Sequence, residues 1–265
     1  MSIITISRGS YSKGREIAEK VAEELGYECI GRDMLLEASG QFDVPEIRLV
    51  RAIHDAPTLL ERFNFDRMKY ILYLQNAILR HVQKDNVVYH GLAGHFWLDG
   101  ISHVLKVRVI ADIGDRVAAE MERENISRNE ALHVLEKDDE QRVKWSKSLY
   151  GIDTRDPSLY DMVLHIKRLN VQDVVKIICH TVKLEHFQTT PESQKSLDDR
   201  FLASEVKVAL MEMKPEVEVS AKDGVVLVKT HGHLSHEEYL INEIRNIGET
   251  VEGVKKVNID VLPYE

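Results

Sequence analysis

The chain has 265 residues, 43% of them apolar and 30% charged, enough for one large domain or two smaller ones. A net charge of −9 excludes a general nucleic-acid coat, and two cysteines far apart, Cys29 and Cys179, exclude a disulfide scaffold. No basic stretch followed by a long apolar run opens the sequence, and no apolar run is long enough to span a bilayer, so a cytoplasmic location is expected.

The elements alternate from the start. Ile3, Ile4, Thr5 and Ile6 form a β-branched strand that runs into a polar loop holding Gly9 and Gly14. A helix follows, with Ile17, Ala18, Val21, Ala22 and Leu25 on one face and Gly26 at its stop. Strand, glycine loop and helix aim backbone N–H groups at a phosphate. Gly9 to Gly14 has the glycine spacing of the P-loop pattern GxxxxGK[ST], but Arg15-Glu16 follows where Lys-Ser/Thr is expected. Alternatively Lys13 is the phosphate lysine, and Ser12 replaces the preceding glycine. Either way a cation stands beside the helix N-terminus. The competing reading is a plain strand–turn–helix whose glycines serve only the turn.

A short strand at Tyr27–Ile30 leads to Gly31-Arg32-Asp33. Asp33 reads equally as a ligand contact at a strand end and as a helix cap. Residues 34–84 read mostly helical, most clearly from Asp66 to Val82, with Tyr70, Ile71, Leu74, Ala77, Ile78 and Val82 on one face. Strands are expected at 86–90, 104–111 and 162–166. Helices are expected from Asp115 to Glu124, from a capping box at Ser127–Glu130 to about Lys147, and from Asn170 to about Leu184. This alternation predicts an α/β fold with a five-stranded parallel sheet and helices on both faces.

Residues 185–196 are polar, contain Pro191 and read as a linker. Beyond them a helix–strand–strand–helix–strand unit is expected. It comprises the stripe Phe201 to Met213, a strand around Val217–Val219, a hairpin turn at Lys222-Asp223-Gly224, a strand over 225–228, a helix opened by a Ser235–Glu238 capping box, and a last strand around Val257–Val261. The histidines 231, 233 and 236 lack a cysteine partner and read as surface residues, and no metal site is expected. Trp97 and Trp145 read as packing residues.

Residues 1–184 resemble the cytidylate-kinase-like branch of the P-loop nucleoside monophosphate kinases. The resemblance rests on ITISRGSYSKGREIAEKVAEELGY at the start and on the block from Ala111 to Ile166. That block holds Arg116, the Ser127 turn, the Asp139-x-x-Arg142 pair and Tyr160-Asp161. The resemblance implies a mobile acceptor region, a lid, and transfer of the γ-phosphoryl of ATP, with magnesium, to a monophosphate such as CMP. Carried over residue by residue, Gly9, Ser10, Tyr11, Ser12, Lys13 and Gly14 would cradle phosphates, with Arg8 or Arg32 in place of a phosphate-holding arginine that related kinases carry after the third strand. Lys13 or Arg15 would stabilise the transferring group, Arg116 and Arg142 would close over its charge, and Asp139 would lie near the acceptor nucleotide. Arg123 and Arg128 are weaker candidates. The chain departs from the family where Gly91-Leu92-Ala93-Gly94 lacks an arginine. Residues 197–265 resemble the BON domain, which implies binding of a protein, a small ligand or a membrane surface. The alternative function is a non-catalytic nucleotide-binding sensor that signals through this tail.

Overall fold

The computed structural model describes every residue except 10–11, 32, 55–64, 92–93, 234–236 and 264–265. Two compact units divide the chain. One comprises 1–63 and 84–189, the other 64–83 and 190–265.

The first unit is built on a parallel five-stranded sheet. Its strands are β1 (Ile3–Arg8), β2 (Glu28–Ile30), β3 (Val87–His90), β4 (Val104–Ala111) and β5 (Met162–Ile166), in the order β2-β3-β1-β4-β5. The central strand β1 is buried on both faces, as its β-branched run requires. Ile4 and Ile6 pack into a core with Ile17, Ala18, Val21 and Ala22 of α1 (Gly14–Leu25) and with Val174, Val175, Ile178 and Cys179 of α8 (Val171–Thr181). Cys179 is therefore a buried thiol, while Cys29 is half-buried, and both are unbridged. The remaining helices of this unit are α2 (Met34–Phe42), α3 (Glu46–His54), the short α5 (Gly94–Trp97), α6 (Ile113–Glu124) and α7 (Arg128–Tyr150). The expected capping boxes at Ser127 and Asn170 are both formed, each with the reciprocal pair of side-chain to backbone bonds. Trp97 and Trp145 are buried, the latter donating its indole N–H to the Ala52 carbonyl at 2.8 Å.

The connections run outward in opposite directions from the middle of the sheet. α1 carries the chain from β1 towards β2, and α6 and α7 carry it from β4 to β5. The carboxyl ends of β1 and β4 thus form the crevice where open α/β sheets bind ligands.

The second unit has α9 (Pro191–Leu210), β6 (Glu218–Lys222), β7 (Val225–Gly232), α10 (Glu237–Gly248) and β8 (Lys256–Pro263), the helix–strand–strand–helix–strand order expected. β6 and β7 are antiparallel and β8 adds parallel to β7. Asp223 and Gly224 turn the hairpin at φ 58 and φ 80, the pair of left-handed positions a two-residue turn requires. Val206, Leu210, Val217, Val226, Val228, Ile244 and Val257 form its core. Ser235 and His236, half of the expected second capping box, lie outside the described residues.

Two expectations are corrected here. Residues 191–196 were expected in a linker but form the first turns of α9. Pro191 sits at the first helical position, where its missing N–H costs nothing, and Thr190 caps the helix in a box with Ser193. Just before it, Glu185–Phe187 form a short 3-10 turn, and the Thr189 N–H bonds to the Met1 carbonyl at 2.9 Å. The second correction concerns α4 (Phe65–Val82), which groups with the second unit. It carries apolar residues on more than one face, and Leu72, Tyr73 and Leu79 are buried as well as the stripe first expected. Along α9, the Asn76 amide donates to Ser204 Oγ at 3.3 Å and to Glu205 Oε1 at 2.7 Å, while Arg80 pairs with Glu205 at 3.0 Å and Gln83 donates to Asp198 at 2.9 Å. No helix among the described residues is long and apolar enough to cross a membrane.

Candidate phosphate-binding site

The loop after β1 is tied down at both of its described ends. Gly9 N–H donates to the Val109 carbonyl of β4 at 3.3 Å. The buried Ser12 hydroxyl lies 3.0 Å from the Gly9 carbonyl and 3.1 Å from that of Val109. Ser10 and Tyr11 lie outside the described residues. Lys13 stands at the N-cap of α1 in the left-handed conformation, φ 60, and provides no side-chain cap. Among the described residues no N-cap side chain therefore accepts from the first-turn N–H groups of α1, the state in which a helix end receives an anion. The Lys13 ammonium is exposed and has no partner among the described residues.

Arg15 points elsewhere. It pairs with Glu19 one turn on, at 2.7 Å, and that hydrogen bond is the first cause raising its pKa. Of the two cations weighed for the transferring phosphate, Lys13 is thus the one at the open helix end. Arg8 lies across that same end. A Cβ on Gly14 would stand 2.8 Å from Arg8 Cβ and 2.9 Å from Arg8 Cδ, so only glycine admits the arginine stem there.

From the β4 side comes Arg116, in the first turn of α6. Its guanidinium carbon lies 3.7 Å from where a Gly9 Cβ would be, its side chain is 10% exposed, and it pairs with Asp139 of α7 at 2.8 Å. The structure thus brings Gly9, Arg116 and Asp139 together. Arg142 lies one turn further along α7, half-buried. Arg123 pairs with the buried Glu120 and the exposed Glu124 of its own helix, at 3.0 and 2.9 Å. Asp33 sits at the N-cap of α2, yet its carboxylate accepts from the Gly31 N–H at 2.9 Å rather than from a helix N–H.

Beneath the loop lies a buried polar network that sequence reasoning missed. The Tyr160 hydroxyl donates to the Thr154 carbonyl at 2.9 Å and accepts from Arg108 at 3.3 Å. It also lies 3.2 Å from His95 Nε2 and 3.3 Å from Ser7 Oγ, one residue before Arg8. Burial, with the Arg108 charge next, pushes the His95 imidazole down to about 3. His90, at the end of β3, is pushed down to about 4 by burial and then by the Arg8 charge. Residues 92 and 93 of the Gly91–Gly94 turn lie outside the described residues. Its two glycines border the buried Tyr89 ring, where a Cβ at either would stand 2.4 Å from the nearest ring or hydroxyl atom. No local pattern marks this network, because its members come from β1, α5, β4 and the turn before β5.

The Cytidylate kinase-like family profile matches residues 3–168, and the chain belongs to that family. The family is one of kinase-type, nucleotide-binding P-loop phosphotransferases. A cytidylate kinase of Saccharolobus islandicus is 24% identical over 204 residues, 75% of this chain and 100% of that protein. A cytidylate kinase of Methanosarcina acetivorans is 34% identical over 106 residues, 39% of this chain and 57% of that protein. An uncharacterized protein from Eubacterium ventriosum shares the fold, with TM-score 0.54 and 17% identity over 69% of this chain and 98% of that one.

Proposed function

We propose that this chain transfers the γ-phosphoryl of ATP to a nucleoside monophosphate, with CMP the first candidate acceptor. The observation that carries the reading is the placement of Arg116 over Gly9, beside an uncapped helix N-terminus and the exposed Lys13. Phosphoryl transfer asks a protein mainly to position its substrates and to neutralise charge. In this reading the first-turn N–H groups of α1 and Lys13 hold the donor phosphates. Arg116 and Arg142 meet the charge on the transferring group from the β4 side, and Arg8 meets it from the β3 side. The relatives named cytidylate kinase favour CMP as acceptor.

The described residues fit a phosphate chain better than a protein-held magnesium ion. Gly14 stands where a hydroxyl residue would follow Lys13, Glu16 where one would follow Arg15, and the Ser12 hydroxyl is turned to two carbonyls. The tail is read as a BON-like interaction module, supported by its order of elements. A coupled assay with ATP and CMP, dCMP, UMP or AMP tests the proposal. The expected result is transfer to CMP above the others. ATP binding with no transfer to any of the four would replace this reading with that of a nucleotide sensor.

A further inference from the structure

We infer that Asp139 is a positioning residue, whose carboxylate aims the Arg116 guanidinium over the phosphate loop instead of touching a nucleotide. The inference rests on the phosphate-binding reading of the loop. Gly9 and Ser12 are both bonded to Val109 of β4, so the described ends of the loop and the strand form one rigid base. α6 follows directly from that strand, which fixes the backbone of Arg116. The long side chain is the adjustable part. It is 10% exposed, and a buried guanidinium must be given a counter-charge at a defined place. Asp139 supplies one at 2.8 Å while remaining 38% exposed on α7. α7 is itself packed on α6 through Val117, Ala131 and Leu135. The carboxylate is thus presented by a braced helix to an arginine that already overhangs Gly9.

A residue that works only through another leaves a definite signature in a double-mutant cycle. The probe is sodium tripolyphosphate, titrated calorimetrically into the full-length protein, with thermal melting as the check on folding. D139A should weaken tripolyphosphate binding roughly tenfold or more, the scale of losing a charge-assisted contact. On an R116A background the same substitution should change affinity by less than about twofold. D139N keeps a carbonyl oxygen for the guanidinium and should recover part of the loss; should D139A not fold, D139N carries the cycle. An equal loss in both backgrounds would overturn the inference, and so would wild-type protein that does not bind tripolyphosphate. Binding of tripolyphosphate without phosphoryl transfer from ATP would instead retire the kinase reading and leave the role of Asp139 standing.

Discussion

The Arg8 stem lies against Gly14 so closely that a Cβ on Gly14 would stand 2.8 Å from Arg8 Cβ. The last residue of β1 and the first of α1 are therefore packed on each other across the loop that joins them. Gly14 has no positive φ, so alanine is barred by the arginine and not by the backbone. Gly14→Ala should destabilise the protein by about 1–3 kcal/mol, the usual cost of overpacking. With Arg8→Gly in place the Cβ and Cδ that stand in the way are both gone, and the same change at Gly14 should be neutral or stabilising, since alanine exceeds glycine in helices by about 1 kcal/mol. Urea denaturation of the four proteins reads the sign reversal. A loss of the same size in both backgrounds would show that Arg8 is not the obstacle.

Lys13 combines a cost with a use. A side chain in the left-handed region costs about 1–2 kcal/mol relative to glycine, and Lys13 sits there at φ 60. Lys13→Gly should leave stability level or raise it by up to about 1 kcal/mol, while weakening tripolyphosphate binding. Lys13→Ala keeps the strained backbone and should lose binding without the gain. Denaturation midpoints and titration calorimetry on the two variants check the separation.

Acid should weaken the fold in a window set by two histidines. In the unfolded chain an imidazole titrates near 6.5, whereas folded His95 and His90 titrate near 3 and 4. Between those values the unfolded chain binds protons that the folded chain refuses. Their contribution is therefore intact above pH 6.5 and is lost progressively as pH falls towards 4 and 3. His95→Gln should lower stability at pH 7 through its contact with Tyr160, yet flatten the decline between pH 6.5 and 4. Urea midpoints across that range would show it; an unchanged slope would remove His95 from the account.

Asn76 is fully buried and gives its amide to Ser204 and Glu205. Asn76→Ala leaves a buried hydroxyl and a carboxylate short of a donor, and should cost about 1–3 kcal/mol. Asn76→Asp should cost more, because it sets a second carboxylate beside Glu205. Thermal unfolding of both variants tests the order.

Much of the first unit was legible because its signals are local. A β-branched run ending at Gly9, apolar spacing from Ile17 to Leu25, and the boxes at Ser127 and Asn170 each lie within a few residues. The site was legible in part. The loop and Arg116 could be named from the sequence, but not the pairing of Arg116 with Asp139, which depends on how α6 and α7 fold back on each other. Arg8 and Gly14 are both visible in the sequence, yet their contact exists only once β1 and α1 are placed. Thr190-Pro191 was the overlooked signal at the start of α9, a cap residue followed by proline at the first helical position. The membership of α4 had no local mark at all, since burial around most of a helix does not say which neighbours bury it.

The division of the chain also dictates an order of synthesis. α4 ends at Val82 and its partner helix α9 begins at Pro191. A ribosome adding about 5–20 residues per second leaves the two apart for roughly 5–20 s, while roughly 110 residues are made between them. During that time Asn76, Arg80 and Gln83 have no α9 to close on. The second unit cannot be completed until nearly the whole of the first has been translated. A nascent chain halted anywhere between them carries an apolar helix for a chaperone to hold.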